Sequence, residues 1–156
     1  MINVAVPGVG SLCLKHLVLD YNGTIAFDGN LCQGVEAALN LLAEKIKVYI
    51  ITADTFGTVA EMCKDIDGEV TVLTSANGTE EKGRFVESLG AAGVVAIGNG
   101  ANDSLMLKKA ALGIVVMGNE GAAVKTIIQA DIVVQDINDA LGLLLNTQRL
   151  IATLRV

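Results

Sequence analysis

The sequence predicts an α/β fold: a three-layer α/β/α sandwich built on a mostly parallel, Rossmann-like sheet. Apolar runs of strand length alternate with segments of helical period from Leu17 onward. The strand runs are continuous rather than alternating, as in Val48-Tyr49-Ile50-Ile51, so both faces of the sheet should be covered by helices. Short polar side chains and glycines gather directly after several of these runs, where an open α/β sheet binds its ligands.

The elements follow in order. Val4, Val6 and Leu12 flank Pro7-Gly8 and predict an N-terminal β-hairpin. Leu17-Val18-Leu19 is the first strand of the main sheet, and Val35, Leu39, Leu42 and Ala43 recur at helical spacing. The strand at Val48–Ile51 precedes a helix over 58–64, a strand over 70–73 and a helix over 80–89 with Thr79 as its cap. A strand over 94–97, a helix over 102–110, a strand over 114–117, a helix over 122–129 and a strand over 132–134 complete the alternation. A terminal helix is expected from Asp139 onward. No linker, repeat or low-complexity tract interrupts this run, so residues 1–156 read as one domain.

Composition narrows the function. The chain has 156 residues, 52% hydrophobic and 18% charged, which excludes a disordered protein. The net charge of −6 disfavours nucleic acid and anionic membrane surfaces as partners. No stretch approaches the roughly 20 apolar residues of a membrane span. The N-terminal residues lack a basic lead, so a soluble, cytoplasmic protein is expected. Cys13, Cys32 and Cys63 form no CxxC pair and read as reduced thiols.

The chemistry is read at the strand ends. Asp20-Tyr21-Asn22-Gly23-Thr24 follows the first strand of the sheet, Thr52-Ala53-Asp54 follows the second, and Gly98-Asn99-Gly100-Ala101-Asn102-Asp103 follows the strand at 94–97. Backbone N–H groups in such loops suit an anion.

This series resembles the haloacid-dehalogenase-like superfamily. Its signature is Asp-x-x-Gly-Thr after a strand, a Thr at the next strand end, a later Lys and then Gly-x-Gly-x-Asn-Asp, matched here from Leu17 to Asp103. The DYNGT stretch looks most like the phosphorylation domain of P-type ATPases and their small soluble relatives. The resemblance implies a Mg²⁺-dependent phosphatase in which Asp20 attacks phosphorus and carries an aspartyl phosphate. Thr52 would donate to the phosphoryl group, and Lys82 would neutralise charge on nucleophile and phosphate. Gly23, Thr52, Ala53 and Lys82 form the implied phosphate site. Asp20, the carbonyl of Asn22, Asn99 and Asp103 form the implied Mg²⁺ site.

Two positions depart from the pattern. Asn22 stands where the family has a general acid–base Asp, and Asn99 where it has an acidic metal ligand. Loss of a general acid typically costs about 10²–10⁴-fold, least for leaving groups stable as anions. A slow phosphatase is therefore expected, or alternatively a catalytically impaired binding or regulatory protein of the same fold. A receiver-type signalling domain fits less well, because it wants an acidic pair where this chain has Asp20-Tyr21. The stretches from Asp20 to Thr52 and from Thr52 to Lys82 are consumed by core elements, leaving no cap domain. An open site implies a phosphorylated small molecule or macromolecule as substrate, and a homo-oligomer as one way to complete it.

Overall fold

The computed structural model of the chain describes residues 1–54, 57–75 and 77–156. The first two strands, β1 (Ile2–Val6) and β2 (Gly10–Leu14), pair antiparallel as the predicted hairpin. Alternate residues of β1 point inward, so Ile2, Val4 and Val6 join the core while Asn3 and Ala5 face solvent. Next come β3 (His16–Asp20), the short pair β4 (Ala26–Phe27) and β5 (Asn30–Leu31), and helix α1 (Val35–Ala43). Then follow β6 (Lys47–Thr52), α2 (Thr58–Met62), β7 (Glu69–Val72) and α3 (Gly78–Ser88). The chain continues through β8 (Val94–Gly98), α4 (Ser104–Lys109), β9 (Leu112–Val116) and α5 (Val124–Ile127). It closes with β10 (Ile132–Val134), α6 (Ile137–Leu145) and α7 (Thr147–Leu154).

The main sheet has the order β10-β9-β8-β3-β6-β7, and each pairing in it is parallel. Its two faces carry separate cores, and strand alternation explains the division. Leu17, Leu19, Val48, Ile50, Val95 and Ile97 point to one face, where α1 and α6 bring Leu39, Leu42, Leu141 and Leu144. Val18, Tyr49, Ile51 and Ala96 point to the other, where α3 and α4 bring Val86, Met106 and Leu107. Each such aliphatic side chain contributes about 1.5–3 kcal/mol on full burial. This two-sided cover is why the strands read as unbroken apolar runs.

The chain leaves β3 toward β6 on one side and later returns to β8 on the other. The crevice at the carboxyl ends of β3 and β8 is therefore a topological switch point, the usual ligand position of such sheets. Among the described residues, the segment between β3 and α1 holds the β4–β5 hairpin and no cap domain.

Three local expectations are corrected. Helix α3 begins at Gly78 rather than after Thr79, because the Asn77 side chain accepts from the Glu80 N–H at 3.3 Å and caps it. The terminal helix starts earlier, at Ile137 after the Asp136 cap, and divides at Asn146, whose backbone leaves the helical region (φ −121, ψ 85). The β4–β5 hairpin was not foreseen, since its strands are too short to show a period. Its Asp28-Gly29 turn is nonetheless a hairpin signal, and Asp28 takes the positive φ of 48 that such turns require.

Candidate active site

β3 ends at Asp20, between the ends of β6 and β8, and the residue is 8% exposed. Lys82 reaches it from α3. Its ammonium lies 2.6 Å from Asp20 Oδ1 and 2.6 Å from Asp103 Oδ1, and the residue is 2% exposed. A lysine on a helix as polar as α3 ordinarily points to solvent. Here Gly83 lets α3 approach α4: a Cβ on Gly83 would stand 2.8 Å from Leu105 Cδ2. Gly83→Ala should therefore push α3 outward, destabilise the fold by about 1–3 kcal/mol and draw Lys82 off Asp20. Thermal unfolding together with phosphate-transfer assays checks this. An unchanged melting temperature would show that the close approach is not what seats Lys82.

Asp103 is enclosed. It has no solvent exposure, its Oδ1 takes Lys82, and its Oδ2 accepts the N–H groups of Asn99 (3.0 Å) and Gly100 (2.9 Å). Gly98 makes room for it, since a Cβ there would sit 2.6 Å from the Asp103 carboxyl carbon. The loop after β8 is thus wrapped around a carboxylate. The metal-ligand role expected of Asp103 does not fit this geometry, because both of its oxygens are committed to protein donors.

The two Asp20 oxygens differ. Oδ1 carries the lysine, whereas Oδ2 meets the Thr24 hydroxyl at a weak 3.5 Å. The same hydroxyl lies 3.2 Å from Asn99 Oδ1. Burial, reinforced by the charge of Asp103, raises the Asp20 carboxyl to about 7 against the pull of Lys82. Lys82 is lowered by burial, but the Asp20 and Asp103 charges outweigh this and hold it above its ordinary value. One cation between two buried carboxylates leaves a net negative charge, which is the reason Asp20 holds its proton so long.

Thr52 ends β6 and is 2% exposed; its hydroxyl oxygen accepts the Asp54 N–H at 3.1 Å, leaving its proton free to donate outward. Ala53 and Asn22 are exposed beside it. With Tyr21, Asp28, Asp54 and Thr58 they line an open cavity of about 620 Å³. The phosphate-binding N–H expected of Gly23 is engaged elsewhere, donating to Ala26 O at 2.8 Å within the turn. Gly23 instead supplies space, with a φ of +77 that favours glycine.

The donors near Asp20 suit a hard divalent cation: a carboxylate, the Asn99 amide oxygen, the Thr24 hydroxyl and backbone carbonyls, with no sulfur among them. Gly23 lets the Asn99 side chain approach, since a Cβ there would stand 2.9 Å from its amide oxygen. Asp20 and Asn99 thus suit the metal that the fold implies, with Asp103 withdrawn from the set. No cluster of three or more His, Cys, Asp or Glu occurs among the described residues, so such a site is poor in charge. Sequence reasoning missed two residues here. Thr24 was legible as the last residue of its motif. Thr126, fully buried and donating to Gly100 O at 2.6 Å, lies far along the chain and gave no signal.

Comparisons with known proteins agree with this fold. The chain is similar over its fold to the cobalt-bound deoxy-D-mannose-octulosonate 8-phosphate phosphatase of Haemophilus influenzae, with TM-score 0.72 at 13% identity over 87% of this chain and 90% of that one. The 3-deoxy-D-manno-octulosonate 8-phosphate phosphatase of Moraxella catarrhalis, in complex with magnesium, phosphate and KDO, gives 0.66 at 18% identity over 91% and 94%. The catalytic domain of the CPx-ATPase CopB gives 0.58 at 29% identity over 71% of this chain and 44% of that chain. The fold is that of the haloacid-dehalogenase-like superfamily in its capless form. No protein-family model matches the chain. An uncharacterized protein of Methanocaldococcus jannaschii is 66% identical over 62 residues, which are 40% of this chain and 67% of that protein. A second from the same organism is 49% identical over 39 residues, 25% of this chain and 89% of that protein. The chain belongs to one family with these archaeal proteins. Among the described residues no helix is long and apolar enough to cross a membrane.

Proposed function

We propose that the chain is a metal-dependent phosphohydrolase that works through an aspartyl phosphate on Asp20. The observation that carries this reading is the asymmetry of Asp20: Lys82 holds Oδ1 at 2.6 Å while Oδ2 meets the Thr24 hydroxyl at a weak 3.5 Å and so is the oxygen left to attack.

Asp20 Oδ2 forms a bond to phosphorus as the bond from phosphorus to the leaving oxygen breaks. The Thr52 hydroxyl donates to a phosphoryl oxygen, and Lys82 offsets charge on the nucleophile. Asn22 has no proton to give, so the leaving group departs as an anion and takes its proton from water. Water then attacks the acyl phosphate, releasing inorganic phosphate and restoring the carboxylate. Asp20, the Asn22 carbonyl and Asn99 would hold Mg²⁺, which supplies charge neutralisation at the phosphoryl group. The uncapped crevice leaves room for a phosphorylated small molecule or a phosphorylated macromolecule, and a second copy of the chain would be one way to cover it.

The test is acid quench of the Mg²⁺-loaded protein with acetyl phosphate, followed by peptide mapping. A phosphate on Asp20 is expected; a chain that never becomes phosphorylated ends the proposal. The Asn22 argument has its own test. Asn22→Asp should raise turnover of alkyl phosphates by about 10²–10⁴-fold and change acetyl phosphate turnover far less. Equal gains on both would mean that proton donation is not what limits the wild type.

A further inference from the structure

We infer that Glu120 supplies the carboxylate missing at Asn99 and completes a divalent-cation site over Gly23. The inference rests on the phosphohydrolase reading and adds to it a residue outside the four motifs. Glu120 lies in the loop after β9, a strand end whose polar residues no motif covers. The position a Cβ would take on Gly23 is 2.7 Å from Glu120 Oε2, 2.5 Å from Asn99 Nδ2 and 2.9 Å from Asn99 Oδ1. The carboxylate and the amide therefore both close over residue 23, an approach that a side chain there would block.

This placement is anchored at both ends. Asn99 Nδ2 donates to Gly121 O at 3.1 Å, and the Ala123 N–H donates to Asn99 O at 2.9 Å. Gly118 packs on the Gly23 carbonyl, 3.4 Å from its would-be Cβ. The loop that carries Glu120 is thus stapled to the residue whose charge is absent. Contacts also orient the Asn99 amide: its nitrogen donates to Gly121 O and its oxygen accepts from the Thr24 hydroxyl.

Glu120 makes no hydrogen bond or ion pair among the described residues. The Glu120 carboxylate thus lies beside the Asn99 side chain, whose amide oxygen shares the Thr24 hydroxyl with the weakly bonded Asp20 Oδ2. A cation resolves that arrangement, and the oxygen-only donor set selects a hard divalent ion. Asp103 is engaged elsewhere, with Lys82 on its Oδ1 and the Asn99 and Gly100 N–H groups on its Oδ2. Asp20 and Glu120 are then the two anionic donors, in place of the pair that Asn99 would have formed as an acid.

The experiment is Mn²⁺ binding by the full chain without phosphate donor, followed by the loss of the free-ion paramagnetic resonance signal. Glu120→Gln should weaken binding about tenfold or more, and Asn99→Asp in that background should restore it. Asp20→Asn should remove binding and so place the ion in the crevice. Glu120 is exposed, and circular dichroism melts should show both Glu120 variants folded as the wild type. Unchanged Mn²⁺ affinity in Glu120→Gln overturns the inference, as does a wild type that takes up no Mn²⁺ at millimolar concentration. Because no phosphate donor is present, a failed phosphoenzyme trap counts against the phosphohydrolase reading and leaves this titration independent of it.

Discussion

Asp20→Asn should give a folded protein that forms no covalent phosphate and, stripped of metal, is more stable than the wild type above neutrality. The first half follows from removing the nucleophile, and turnover should fall by about 10⁴-fold or more. The second half follows from linkage. The folded protein holds the Asp20 proton up to about 7, against an ordinary value of 3.8. Between those values the native state keeps a proton that the unfolded chain has lost, so stability declines as the pH rises through that window. An amide of the same shape avoids the buried charge. In the presence of a chelator the wild-type melting temperature should fall between about pH 5 and about pH 8, and that of Asp20→Asn should fall less. At the upper end the variant should lead by about 1–3 kcal/mol, or several degrees for a chain of this size. Parallel pH profiles for the two proteins would show that Lys82 fully neutralises Asp20, contrary to the balance of charges described above.

The parts of the site that were legible in the sequence are those fixed by strand ends. Asp20, Thr52 and the 98–103 loop each follow an apolar run, and a parallel sheet brings such ends together whatever the loops do. The order of the elements was legible for the same reason. What stayed hidden depends on helix packing and on side-chain direction. Lys82 lies among Glu80, Glu81, Arg84 and Glu87, a context that reads as a solvated face. Its burial depends on Gly83 allowing α3 onto α4, a contact no local pattern announces. The commitment of Asp103 to Lys82 rather than to metal follows from that same contact. Glu120 also follows a strand, but the motifs end earlier in the chain. Thr79 failed as a cap because Asn77, two residues before it, offers a better-placed acceptor.

Lys82→Met should be the most damaging single change outside the nucleophile. It removes the one cation shared by two buried carboxylates, leaving like charges enclosed together. Breaking a buried pair in this way costs about 3–5 kcal/mol. The loss should be larger at about pH 8 than at about pH 5, where Asp20 still holds its proton and the repulsion is absent. Urea unfolding at the two pH values measures this directly. The double variant Lys82→Met/Asp103→Asn separates structure from chemistry. Removing the second carboxylate relieves the repulsion, so stability should recover substantially while phosphoenzyme formation stays absent. Recovery of both would mean that Lys82 serves mainly to hold Asp103. A destabilisation that ignores pH would mean that the methylene packing of Lys82, and no charge interaction, is what this buried side chain contributes.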